Sequence, residues 1–98
     1  MKSNLKQIVD EIIIHIENNG GLFSSWFIDI SANPRQKLID VHKVNTKTSL
    51  WIIREADNEL NARNIKKYII TEFATDGGTK DEPGKYIYAY RKTAATNP

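Results

Sequence analysis

Trp26-Phe27-Ile28-Asp29-Ile30-Ser31 passes through Ala32 into Asn33-Pro34-Arg35-Gln36-Lys37-Leu38. The first six residues are rich in aromatic and β-branched side chains, which favour a pleated backbone. Alternation by two puts Trp26, Ile28 and Ile30 on one face and Phe27, Asp29 and Ser31 on the other, and so predicts a strand over 26–31. Asn33-Pro34 then predicts a helix start. Asparagine caps, and proline at the first helical position lacks only an N–H that would go unbonded there anyway. The predicted helix covers 34–43, with Leu38 and Ile39 inward and Val41 beside them. The same switch between period two and period 3.6 recurs on both sides of this stretch.

Upstream, Leu5, Ile8, Val9, Ile12 and Ile16 form one apolar stripe and predict a helix over 4–18. Ser3 is its candidate N-cap, and Asn19-Gly20-Gly21 its stop. Ile13 and Ile14 widen the stripe, so the helix is expected to be buried on more than one side rather than to lie on a membrane. Downstream, 49–55 reads as a second strand and 58–73 as a helix capped by Asp57 or Asn58, with Ala62, Ile65, Ile69 and Phe73 facing the core. Residues 74–84 read as a loop in which Asp76-Gly77-Gly78 is a turn. Strict alternation over 85–91, Tyr86, Tyr88 and Tyr90 against Ile87, Ala89 and Arg91, predicts a third strand. The expected fold is α/β (α+β): a small, mainly antiparallel three-stranded sheet flanked by three helices. One domain spans 1–98, divided into an N-terminal helix over 1–20, a core over 26–92 and a flexible tail over 93–98.

The 98 residues leave room for one core, and 40% hydrophobic with 27% charged residues is the composition of a folded chain. No cysteine is present, and His15 and His42 are too few for a structural zinc site, so no metal or cofactor is expected. The apolar run Ile12–Ile14, bounded by Glu11 and His15, is too short to span a membrane and lacks a cleavage signal; a cytoplasmic protein is expected. The formal charge of +2 is mild for a dedicated nucleic-acid binder. Neither Gly-x-Gly-x-x-Gly nor a Gly-Lys-Ser/Thr phosphate loop occurs.

The order of these segments resembles a small bacterial branch of the GIY-YIG-like domains over about two thirds of the chain. Phe27-Ile28-Asp29-Ile30-Ser31 stands where that group has Tyr-Val-Gly-Ile-Thr, and Asn33-Pro34-Arg35-Gln36-Lys37-Leu38 is similar to its Asp-Pro-Glu-Arg-Arg-Leu. His42 falls where the branch often has histidine. Leu50-Trp51-Ile52-Ile53-Arg54 looks like its tryptophan strand, and Ala62-Arg63-Asn64-Ile65-Lys66-Lys67-Tyr68 like its Ala-Arg-x-Val-Glu-Lys-Tyr helix. Asp76-Gly77-Gly78-Thr79 and Tyr86–Lys92 match its loop and last strand. The N-terminal helix has no counterpart, and the first strand of the family has no clear equivalent.

The resemblance implies a divalent-metal nuclease whose glutamate, arginine and tyrosines do the chemistry. Metal needs carboxylate oxygen, and charge developing on phosphate needs a cation. Here the glutamate position carries Lys66, the arginine position Lys37 (or Gln36 one residue away), the tyrosine position Phe27 and the glycine position Asp29. Loss of ligand, guanidinium fork and hydroxyl together points to a non-catalytic binding module, with Phe27, Asp29, Lys37, His42 and Lys66 as remnant positions. One rival is a nuclease with a relocated carboxylate at Asp29, Glu72 or Glu55. The other is a nucleic-acid binder using Arg63, Lys66, Lys67, Lys37 and Lys43. Arg63, Lys66 and Lys67 share a helical face that reads first as solvated. His42 reads first as a histidine satisfying a backbone carbonyl, His15 as structural, and the tyrosines as half-buried sheet residues. The partner stays open between nucleic acid, another protein and a second copy of the chain, with no membrane.

Overall fold

The computed structural model describes residues 5–79 and 82–98. Helix α1 covers Leu5–Asn18; Ser3, its expected cap, lies outside the described residues. Gly21 bonds back to the Ile16 carbonyl at 2.9 Å with φ +71°, a left-handed stop that glycine adopts without steric cost. A 3₁₀ turn over Phe23–Ser25 leads into β1, Trp26–Ser31. Then come α2, a single turn over Pro34–Gln36, and a π-helical turn over Lys37–Val41. Strand β2 is Trp51–Glu55, α3 is Glu59–Phe73, β3 is Asp76–Gly77 and β4 is Tyr86–Arg91. The Asn58 side chain caps α3 by accepting from the Asn61 N–H at 2.8 Å.

The strands form one four-stranded mixed sheet in the order β2-β4-β1-β3. Strand β4 pairs antiparallel with both neighbours, Asp29 opposite Tyr88 and Ile53 opposite Tyr88. This corrects the expectation of three strands. Asp76-Gly77 is not a free turn but a fourth strand, parallel to β1 with Phe27 opposite Asp76. Two residues are too few to show alternation. Gly77 fits only because it has no Cβ, which would strike the Ile70 side chain.

The sheet divides the core in two. Helices α1 and α3 cover one face with Ile8, Ile12, Ile16, Ala62, Ile65 and Ile69, packed on Trp26, Ile28, Ile30, Ile87 and Ala89. On the other face Phe27, Tyr88 and Tyr90 meet Leu38 and Val44. Ile65→Ala, fully buried in the larger cluster, is expected to cost about 2–4 kcal/mol by urea denaturation. An unchanged midpoint would contradict this packing.

Two details of the core differ from expectation. The helix predicted over 34–43 becomes one α turn and a π turn, in which the His42 N–H reaches the Lys37 carbonyl at 3.0 Å. The wider turn keeps Leu38 buried but swings Ile39 and Val41 outward, 43% and 46% exposed. Val44 takes their place, its N–H bonded to the Leu38 carbonyl at 2.8 Å. On α1, Ile14 is 52% exposed, so the stripe is narrower than its isoleucine count implied. No helix among the described residues is long and apolar enough to cross a membrane.

Candidate functional site

Alternation in β1 and β4 delivers Phe27, Tyr88 and Tyr90 to the sheet face under the 37–44 segment, and the end of the π turn drops His42 among them. The His42 ring lies 5.0 Å from Phe27, 5.5 Å from Tyr88 and 5.1 Å from Tyr90, centroid to centroid. Its Nδ1 is 2.8 Å from the Asn97 carbonyl, which can only accept, so Nδ1 carries the proton. Its Nε2 shares a hydrogen bond with the Tyr88 hydroxyl at 2.7 Å, and the Tyr90 hydroxyl sits 3.2 Å from Nδ1. The Asn97 N–H also donates to the His42 carbonyl at 2.7 Å. Both ring nitrogens are therefore engaged inside the protein, one of them on a backbone carbonyl. Burial, with the Asp29 charge near Tyr88 and the Asp76 and Asp29 charges near Tyr90, pushes both tyrosine hydroxyls well above their ordinary pKa and keeps them neutral.

Asp29 follows a different path. β3 ends at Gly77, so the edge of β1 is open beside Asp29, and the carboxylate lies there against Gly78. A Cβ on Gly78 would collide with it. Oδ1 accepts from the Ile30 N–H at 2.8 Å and from Lys66 Nζ at 2.9 Å. The two side chains are only 12% and 10% exposed. Lys66 thus belongs to the buried face of α3 with Ala62, Ile65 and Ile69. This corrects the solvated face expected for Arg63, Lys66 and Lys67 at one residue: Arg63 and Lys67 are exposed, but Lys66, midway along α3, points inward to a carboxylate that compensates it.

The remaining positions are more scattered. Lys37 pairs with Glu82 at 3.2 Å beside a cavity of about 320 Å³ that also touches Ser31, Asn33 and Asp40. Arg63 pairs with Glu59 at 3.2 Å. Lys67 and Lys43 are exposed and belong to different layers of the fold. The structure therefore brings Phe27 to His42 and Asp29 to Lys66, but does not gather the five basic residues on one surface. Glu55 pairs with Lys85 at 2.9 Å and Glu72 is exposed on α3. Among the described residues no group of three or more histidine and carboxylate side chains is placed to hold a metal.

Sequence reading did not find Glu82 or Asn97. Their partners, Lys37 and His42, lie 45 and 55 residues away, and no local pattern encodes such a pairing. His15 packs edge-on against Trp26 at 5.5 Å. Burial, helped by the Arg54 charge, holds its pKa below the ordinary histidine value. Comparison with family models, with curated proteins and with solved structures finds no match to this chain.

Proposed function

We propose that the chain is a non-catalytic binding module, a GIY-YIG-like frame that has lost nuclease chemistry. The observation that carries this reading is the buried Asp29–Lys66 ion pair at 2.9 Å. Asp29 is the carboxylate in the remnant site that a relocated metal centre would use, and its Oδ1 is taken up by an ammonium group and a backbone N–H. A cation at Oδ1 would meet the positive charge of Lys66 at close range, where low dielectric makes like charges repel strongly. The other requirements of phosphodiester cleavage are unmet as well. Phe27 has no hydroxyl, His42 spends both nitrogens on Tyr88 and Asn97, and Lys37 is paired with Glu82.

The nucleic-acid reading has weaker support. Three of its five basic residues, Lys37, Arg63 and Lys66, already pair with carboxylates. The expected result with supercoiled plasmid or single-stranded RNA is no cleavage in Mg²⁺ or Mn²⁺, for the natural chain and for Lys66→Glu alike. Chelator-sensitive cleavage that Asp29→Asn abolishes would overturn the proposal and establish a nuclease with a relocated carboxylate.

A further inference from the structure

The stop that ends α1 carries a reactive pair of residues. Asn19-Gly20 is the one asparagine-glycine step in the sequence; every other asparagine precedes a residue with a side chain, which at Asn33 and Asn97 is proline. The amide carbon of an asparagine is open to attack by the backbone nitrogen of the next residue. Glycine there leaves the approach unhindered, because it has no Cβ.

The structure leaves that attack open. Gly20 is exposed. The Asn19 and Gly21 N–H groups both donate to the Ile16 carbonyl, at 3.1 and 2.9 Å, while the Gly20 N–H has no acceptor among the described residues. Arg91 Nη1 lies 3.9 Å from the point where a Gly20 Cβ would stand, which puts a cation beside this peptide unit. The chain's aspartate-glycine step is held differently. Gly77 is paired in β3 against β1 and packed under Ile70, and Asp76 is 3.1 Å from the Lys92 amino group.

The Asn19 side chain also has a structural task. Its Nδ2 donates to the His15 carbonyl at 2.7 Å, satisfying one of the acceptors that a helix end leaves open. This bond delays the reaction, since the amide must let go before Cγ can turn to Gly20. Fraying of the exposed helix end supplies that release.

We propose that Asn19 is a site of spontaneous deamidation in the folded protein, and that the carboxylate it forms uncaps α1. The Gly20 amide gives its proton to hydroxide, and its nitrogen bonds to Asn19 Cγ. The Cγ–Nδ2 bond breaks, the nitrogen takes a proton from water and leaves as ammonia, and a succinimide closes. Water then opens the ring. Opening at Cγ leaves aspartate; opening at the main-chain carbonyl carbon leaves isoaspartate, with the chain running through Cγ. In sum, water is taken up and ammonia released. The Arg91 charge favours both the amide anion and the oxyanion of ring closure. A carboxylate can only accept, so the bond to the His15 carbonyl is lost, and the new charge faces the negative end of the helix.

The test incubates the purified protein at mildly alkaline pH, digests it in acid and follows each asparagine by mass spectrometry, with isoaspartate resolved from aspartate. The expected result is conversion at Asn19 ahead of every other asparagine, to both products, at a rate that rises with pH. Arg91→Gln should slow it by about threefold, the effect of one nearby charge in a wet site. Asn19→Asp, the main-chain-intact product, should speed hydrogen exchange of the amides over 16–21 by about fivefold, as expected for a lost hydrogen bond. No conversion at Asn19 while a free peptide of residues 16–22 converts fully would overturn the proposal, as would conversion at the other asparagines at the same rate. Aspartate alone would overturn the succinimide route. An unchanged rate in Arg91→Gln would overturn the part assigned to Arg91, and unchanged exchange in Asn19→Asp the uncapping of α1.

Discussion

Lys66→Met is expected to destabilise the protein by about 3 kcal/mol, the lower end of the cost of stripping one partner from a buried ion pair. The Asp29 carboxylate would keep its Ile30 N–H bond at 2.8 Å but lose the ammonium at 2.9 Å while still packed against Gly78. The lower end applies because the side chains retain 12% and 10% exposure, which lets water share the charge. Asp29→Asn with Lys66→Met removes both charges, and that double variant should recover most of the loss. Urea denaturation of the two single variants and the double variant closes the cycle. Costs that simply add would show that the two groups do not act as a pair.

Gly84→Ala should cost about 3 kcal/mol or more, because two penalties fall on one residue. Gly84 has φ +130°, a region that side-chain-bearing residues rarely enter. A Cβ there would also overlap the backbone of Ser31 and Ala32. Backbone atoms at the end of β1 cannot swing aside as a side-chain tip can. A melting midpoint within a degree or two of the parent would contradict this close approach of the β4 lead-in to β1.

Features encoded by near neighbours were legible in the sequence. Asn58 caps α3 because its side chain reaches an N–H three residues on. Alternation alone placed Trp26, Ile28 and Ile30 opposite Phe27, and both faces proved buried. Ile65 and Ile69 followed from helical period in the same way. The failures are those where a distant residue decides. Lys66 sits at a spacing that groups it with Arg63 and Lys67, and only Asp29, 37 positions earlier, draws it inward. Asp76-Gly77 has turn composition but becomes a strand because the β1 edge is available to it. One additional residue in the turn over Lys37–Val41 changed which of Ile39, Val41 and Val44 is buried.

The candidate site divides in the same manner. Phe27, Asp29, Lys37 and Lys66 could be set position by position against the motif that the sequence resembles. That Asp29 and Lys66 meet, and that His42 is closed off by Tyr88 and Asn97, required the fold.

The buried pair commits Asp29 to Lys66, and its carboxylate is therefore expected not to bind a divalent cation. Titration with Mn²⁺, followed by paramagnetic broadening of backbone amide signals, reads this residue by residue. No saturable broadening centred on Phe27, Asp29 and Tyr88 is expected. Saturable broadening centred on Asp29, competed away by Mg²⁺ and lost in Asp29→Asn, would contradict it.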